Sequence, residues 1–305
     1  MRIGVDVGGT KIEAIALDGE RVLARRRVAA PRDDYDATIR AVRELVAAIR
    51  QETAQTGTIG IGIPGAVSAQ TGLVKNANSV WLIGKPFDRD LARALGQEVR
   101  VANDANCFAL SEATDGAGKG AHAVFGVIIG TGTGAGIVIG GRVLEGRHRI
   151  AGEWGHNALP WPEDSERPGP PCYCGRCGCI ETFLSGPGLV RTYRADGPGG
   201  AGGSGGENAG KDATEIAARA AAGDAAANAA LEIYEGRMAR ALASVINIVD
   251  PDVIVLGGGL SNIERLYKNV SARLGPYVFS DHADTPIVRA AHGDSSGVRG
   301  AAWLW

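Results

Sequence analysis

Residues 151–182, AGEWGHNALPWPEDSERPGPPCYCGRCGCIET, constrain the fold more than any other stretch of this 305-residue chain. They carry Glu153 and His156, then four of the five cysteines, Cys172, Cys174, Cys177 and Cys179, and then Glu181. An imidazole beside closely spaced thiols is ligand spacing for a tetrahedral zinc closed by three thiolates and one ring nitrogen. A bound ion would pin both ends of the segment and hold Glu153, His156 and Glu181 near one another. Disulfides are the other use of such a cluster, and they need an oxidising compartment. Met1 leads straight into RIGVDVG with no charged-then-apolar leader, so the expectation is a cytoplasmic chain with a zinc-held loop.

The charge balance removes whole classes of partner. There are 32 basic against 34 acidic residues, a formal net charge of −2, and both signs are scattered. No basic block suits nucleic acid, and no apolar run approaches a membrane span.

Two glycine motifs organise the rest. RIGVDVGGTKIEAIALDG reads as strand, turn, strand, with Asp6, Gly8, Gly9, Thr10 and Lys11 at the tip, followed by a return through ERVLARRRVA. Backbone amides, a hydroxyl and an ammonium presented together suit phosphate oxygens, although an ordinary hairpin turn has the same local pattern. AVFGVIIGTGTGAGIVIGGRV repeats the arrangement with Gly130, Thr131, Gly132, Thr133, Gly134 and Gly136. Its letters match a dinucleotide-binding fingerprint, but that fingerprint needs a helix after the glycines, and GIVIGG is a strand-type run. A nicotinamide-dependent enzyme is thereby excluded.

Between these motifs an amphipathic helix is expected from residues 31 to 54, with Ile39, Val42, Leu45, Val46 and Ile49 on one face. The strand TIGIGI breaks at Pro64-Gly65, and a polar loop carries Asn76 and Asn78. EVRVANDANCFALSEA is a strand whose polar end, Asn103-Asp104-Ala105-Asn106, runs directly into a helix. A carboxylate there is placed for chemistry, and it is also where a helix cap would stand. Cys107 lies outside the cluster as apolar filler. Residues 195–210 are low-complexity Gly/Ser, expected as a flexible loop, and a long Ala-rich helix spans about 225–248. VIVLGGGLSN then gives a strand, Gly257, Gly258 and Gly259, and a helix, a cradle for phosphate or adenosine.

Together these elements resemble the duplicated ATPase core of actin, hexokinases and heat-shock chaperones. The specific resemblance is to the ROK family of bacterial sugar kinases, through DVGGTK, GIPG, NDAN, IGTGTGAG, GEWGH, CYCGRCGCIE and VIVLGGG in family order along nearly the whole chain. KNANSVWL, PFDRDL, GCIETF and HGDSSGVRGAAWLW look most like the family's fructokinases. The resemblance implies an α/β, two-domain actin/hexokinase-like fold with a duplicated ribonuclease H-like core. Residues 1–117 and a C-terminal helix at 293–305 would form the small domain, and 118–292 the large one, with the zinc loop at 153–181.

It further implies ATP between the domains, phosphates on the two hairpins and adenosine near Gly257–Gly259. Asp104 would be the general base, with Mg²⁺ held by Asp6 through water. The sugar would meet Asn78, Asn103, Asp104, Glu153, His156, Glu181 and the Gly65 backbone. The family pattern places a variable residue where Cys177 stands, so zinc would take His156, Cys172, Cys174 and Cys179. His156 would give its other ring nitrogen to the sugar. The expected reaction is phosphorylation of D-fructose at O6, with mannose as a further acceptor, in a homodimer. N-acetylglucosamine, N-acetylmannosamine or glucose are alternative acceptors in the same family. A sugar-sensing transcriptional regulator is the alternative of another class; it would carry a helix-turn-helix ahead of the first hairpin, whose strand here begins at Arg2.

Overall fold

The computed structural model describes residues 1–196 and 212–305. From residue 197 on, the expected Gly/Ser loop lies outside the described residues, whereas 195 and 196 end a helix.

Three strands open the chain: β1 (Arg2–Val7), β2 (Lys11–Asp18) and β3 (Arg21–Ala29). Helix α1 (Tyr35–Thr53) begins where the Asp34 carboxylate accepts the Ala37 amide proton, and its Val42, Leu45, Val46 and Ile49 are buried. Strand β4 (Thr58–Ile63) stops at Pro64, which has no amide to continue a ladder. A small ladder of β5 (Ala66–Val67) and β6 (Val74–Lys75) leads to α2 (Phe87–Leu95), β7 (Val99–Asn103) and α3 (Asp104–Thr114). Then come β8 (Ala123–Ile129), β9 (Thr133–Ile139) and β10 (Arg142–Val143). After the cysteine-rich segment follow α4 (Ile180–Leu184), α5 (Gly186–Asp196), α6 (Ala213–Ala221) and α7 (Ala225–Val249). Strand β11 (Val253–Gly257), α8 (Arg265–Ser271), β12 (Ile287–Arg289) and α9 (Ser296–Ala302) complete the order.

One strand plan is used twice. The first five-stranded sheet runs β3-β2-β1-β4-β7 and the second β10-β9-β8-β11-β12, so both follow third, second, first, fourth, fifth. In the first, β1 pairs antiparallel with β2 and parallel with β4, with Asp6 opposite Glu13 and Gly62. In the second, β8 and β12 both run parallel to β11. The glycine turn between β8 and β9 leads strand to strand, as the sequence requires, and no helix follows it.

The chain divides into two compact units, residues 1–121, 136–152 and 291–305, and residues 122–135 and 153–290. The first buries Ile3, Val5, Ile12, Ile59 and Ile61 completely. Its α9 lies against bare backbone: a Cβ on Gly60 would sit 1.8 Å from Ala301 O, and one on Gly300 1.6 Å from Cys107 O. Only glycine allows that approach. Glu112, fully buried on α3, accepts the amide of Ala291 at 2.9 Å and the Ser296 hydroxyl at 2.8 Å.

The second unit is centred on α7, whose Leu231, Tyr234, Met238 and Leu242 are fully buried. Glu166 is buried there against two arginines of α7, 2.7 Å from both Arg237 and Arg240. No described helix is long and apolar enough to cross a membrane.

Candidate active site

In the first unit, three separate sequence motifs converge. The β1–β2 turn is closed by Gly8 N–H to Lys11 O at 2.9 Å, leaving Gly9 and Thr10 exposed at its tip. Asn103 caps α3: its side-chain oxygen accepts from Ala105 N at 2.9 Å and Asn106 N at 3.3 Å. Its amide nitrogen donates to Gly65 O at 3.2 Å. Gly65 has φ of 126°, and a Cβ there would lie 2.7 Å from Lys75 O, so the GIPG turn needs glycine at this point. Asn103 therefore ties this turn to the α3 start, a structural task the sequence did not reveal.

Asp104 takes the first helical position of α3, where its carboxylate accepts the Ala105 amide at 2.8 Å. Asp6 stands within electrostatic reach of it. Burial pushes the Asp6 carboxyl up, the Asp104 and Glu13 charges push the same way, and together they outweigh Lys11 and Arg27 to leave it at about 7. Cys107 is wholly buried, as its apolar setting in the sequence implied. Asn78 is exposed on its loop, between the buried Ala77 and Ser79. Gly136 is buried against α3, where a Cβ would meet Ala105 O at 2.6 Å, so close packing explains that glycine.

In the second unit, the β8–β9 turn is closed by Gly130 N–H to Gly132 O at 2.9 Å and tied to α5 by Gly186 N–H to Gly130 O at 2.7 Å. Thr131 is exposed at the tip, whereas Thr133 is 5% exposed. The Thr133 amide donates to Glu181 Oε2 at 3.0 Å, and a Cβ on Gly155 would stand 2.0 Å from Thr133 O. The second hairpin is thus gripped by the two ends of the cysteine-rich segment. Beside it lies a cavity of about 880 Å³ lined by Gly130, Thr131, Val190, Ala217, Gly259 and Leu260. Gly258, with φ of 81°, turns the chain there within 2.4 Å of Ile129 O, measured from where a Cβ would stand.

The donor atoms of His156, Cys172, Cys174 and Cys179 all lie within 4.8 Å of one another. Cys172 Sγ is 3.5 Å from His156 Nδ1, and Cys174 Sγ is 3.6 Å from Cys179 Sγ. Ligands about 2.0–2.3 Å from a tetrahedral zinc stand roughly 3.5–3.8 Å apart, so this donor set fits the ion. All five cysteines are free thiols in this structure. The Cys177 thiol is exposed and outside the set, while its backbone bridges to Pro171.

The turn that carries His156 is anchored by Trp154, buried edge-on to Phe125 and donating its Nε1–H to Ala241 O at 3.1 Å. His156 Nε2 is 2.9 Å from the Tyr173 hydroxyl. The expected arrangement gave that nitrogen to the sugar, whereas here a phenol from the same loop meets it. Although most of the side chain is exposed, the local burial of its hydroxyl end against the imidazole pushes the Tyr173 hydroxyl up to about 12, with Glu181, Cys172 and Glu153 adding to the effect, so the phenol keeps its proton. Sequence reasoning passed over Tyr173, although its place between two ligand cysteines was a signal.

A strand order used twice, each copy opened by a glycine hairpin, defines a hexokinase-like α/β fold. The sequence model of the ROK family matches residues 2–305, and the chain belongs to that family. An N-acetyl-D-glucosamine kinase of Escherichia coli is 40% identical over 309 aligned residues, which cover 100% of this chain and 99% of that protein. The crystal structure of a ROK hexokinase from Thermus thermophilus is similar with a TM-score of 0.84 at 33% identity, over 99% of this chain and 96% of that one. A ROK family glucokinase from Streptomyces griseus, solved with glucose and AMPPNP, gives 0.78 at 29% identity, over 99% and 98%.

Proposed function

We propose that this chain is an ATP-dependent hexose kinase whose acceptor is an N-acetylhexosamine, with N-acetyl-D-glucosamine first. The observation that carries the acceptor is the Escherichia coli relative, 40% identical along the full chain and named for that sugar. D-fructose, expected from the motifs, becomes the second reading; it rests on KNANSVWL, PFDRDL, GCIETF and HGDSSGVRGAAWLW. A cytoplasmic homodimer belongs to the same proposal.

A sugar hydroxyl attacks a γ-phosphate poorly until a base within hydrogen-bond reach accepts its proton. In this reading Asp104 is that base, fixed at the start of α3 by the Asn103 cap. Asn78, Glu153, His156 and Glu181 hold the remaining hydroxyls with the Gly65 backbone. The amides of Gly9, Thr10 and Gly132 and the ammonium of Lys11 meet phosphate oxygens, Gly8 shapes the turn that presents them, and the cavity beside Gly259 receives adenosine. Mg²⁺, when bound with ATP, offsets phosphate charge; Asp6 fits it through water, since a cation would relieve a carboxylate crowded by Asp104 and Glu13. Zinc on His156, Cys172, Cys174 and Cys179 would fix the loop that carries Glu153 and Glu181.

The test is kcat/KM of purified protein with ATP across N-acetylglucosamine, N-acetylmannosamine, glucose, mannose and fructose. N-acetylglucosamine in front is the expected result. Fructose in front would replace the acceptor and leave the mechanism intact, and no turnover on any of the five would overturn the kinase reading.

A further inference from the structure

Tyr173 stands against His156, one of the residues to which the proposed function assigns the acceptor. It lies between the ligand residues Cys172 and Cys174, and 73% of it is exposed. Its ring meets the His156 imidazole edge-on, with centroids 5.0 Å apart and planes at 88°. Its hydroxyl is 2.9 Å from His156 Nε2, while His156 Nδ1 faces the Cys172 thiol at 3.5 Å. Glu153 and Glu181 lie within electrostatic reach of the same phenol.

An acceptor that comes to His156 Nε2 consequently shares that side of the imidazole with the Tyr173 side chain. We propose that Tyr173 is a specificity-determining residue, a wall raised on the metal loop that narrows, without closing, the space for the substituent an acceptor carries where it faces His156, so that an N-acetyl group is admitted but at a cost the ring sets. The inference rests on the kinase reading and on the assignment of those three residues to the acceptor. A wall of this kind acts through excluded volume, so the ring matters and the hydroxyl does not. Excluding or admitting a few heavy atoms in a fitted pocket is worth about 10–200-fold in kcat/KM. Plain hexoses and N-acetylhexosamines differ by an acetyl group, the increment such a wall would sense.

The position tolerates change. Its side chain projects from the loop, and the bonds that fold the loop run through its neighbours, Cys172 N–H to Arg176 O at 2.7 Å and Gly175 N–H to Cys172 O at 3.0 Å. The experiment compares wild type, Tyr173→Phe and Tyr173→Ala for kcat/KM on N-acetylglucosamine and on fructose, with KM for ATP and zinc content measured alongside. Tyr173→Ala is expected to raise the ratio of N-acetylglucosamine to fructose at least tenfold, with KM for ATP within twofold of wild type. Tyr173→Phe, which keeps the ring, should leave the ratio within threefold.

A ratio unchanged in Tyr173→Ala overturns the proposal. So does an equal shift in Tyr173→Phe, which would assign the effect to the hydroxyl. If Tyr173→Ala loses zinc, Tyr173→Leu is read in its place against the same tenfold criterion. A wild type that turns over neither sugar would sink the kinase reading itself, an outcome separate from an active wild type with an insensitive ratio.

Discussion

Asp104 and Glu166 are both acidic residues held in place by the fold, and they differ in how openly the sequence shows them. Asp104 is legible because NDAN closes a strand and opens a helix, a place where a carboxylate is held still and reachable. Asp104→Asn keeps the size of the side chain and removes its ability to take a proton. It should lower kcat by about 10²–10⁴-fold while leaving the sugar KM within a few-fold. Steady-state kinetics check this, and a near wild-type kcat would remove Asp104 from its role.

Glu166 carries no such mark. Its partners Arg237 and Arg240 are about seventy residues away, and only the fold shows that they meet. Burial pushes its carboxyl up, but bonds from Arg240, Arg237 and the Glu163 amide outweigh that and hold it at about 2. Between the ordinary value near 4.5 and 2 the unfolded chain binds the proton that the folded one refuses, so stability rises with pH there. The contribution is complete above about pH 5 and is lost as pH falls through 2. Glu166→Gln should cost about 3–5 kcal/mol at pH 7, because two guanidinium groups lose their counter-charge. Denaturant midpoints at pH 7, 5 and 3.5 should show the gap from wild type narrowing with acid.

At the scale of elements, the metal segment and the hairpins were largely readable. Ligand spacing announced the cluster, but five cysteines cannot by themselves say which three bind; the fold decides by bringing the thiols of Cys172, Cys174 and Cys179, and not that of Cys177, within 4.8 Å of one another and of His156. Cys177→Ser should therefore keep one zinc per chain by metal analysis. Cys179→Ser should lose it, and with it part of the melting temperature and of the affinity for sugar. Equal zinc loss in both variants would count against this donor set.

The two hairpins were visible because strand-type runs flank the glycines. The use of individual glycines was not, since it depends on what packs beside them. Gly136 gives room to the α3 backbone, and Thr133 spends its amide on Glu181, although both were read as phosphate contacts. Tyr173 shows the same limit from the other side: its neighbours in sequence are metal ligands, whereas its significance comes from the imidazole it meets in space.

Across the whole molecule, duplication was expected from the repeated motifs and is realised as one strand order used twice. The dependence of the first sheet on the last helix was harder to read, because Gly4, Gly60 and Gly300 look like ordinary small residues until α9 is laid on them. Gly300→Ala would drive a Cβ to 1.6 Å from Cys107 O, against backbone that cannot yield cheaply. It should cost about 3 kcal/mol or more, whereas Gly275→Ala, with open space around it, should stay within about 1 kcal/mol. Thermal unfolding of the two variants compares them directly.

That glycine-lined seat has a consequence for biosynthesis. Strands β1 and β4 are made more than two hundred residues before α9, and the face they offer to it stays uncovered until residues 296–302 emerge. Every residue of the second unit, by contrast, has been made by position 290. Domains usually mature in the order in which they are translated. Here the order is reversed: the unit begun second can finish first, and the nascent amino-terminal sheet is the part that needs shelter from aggregation while it waits.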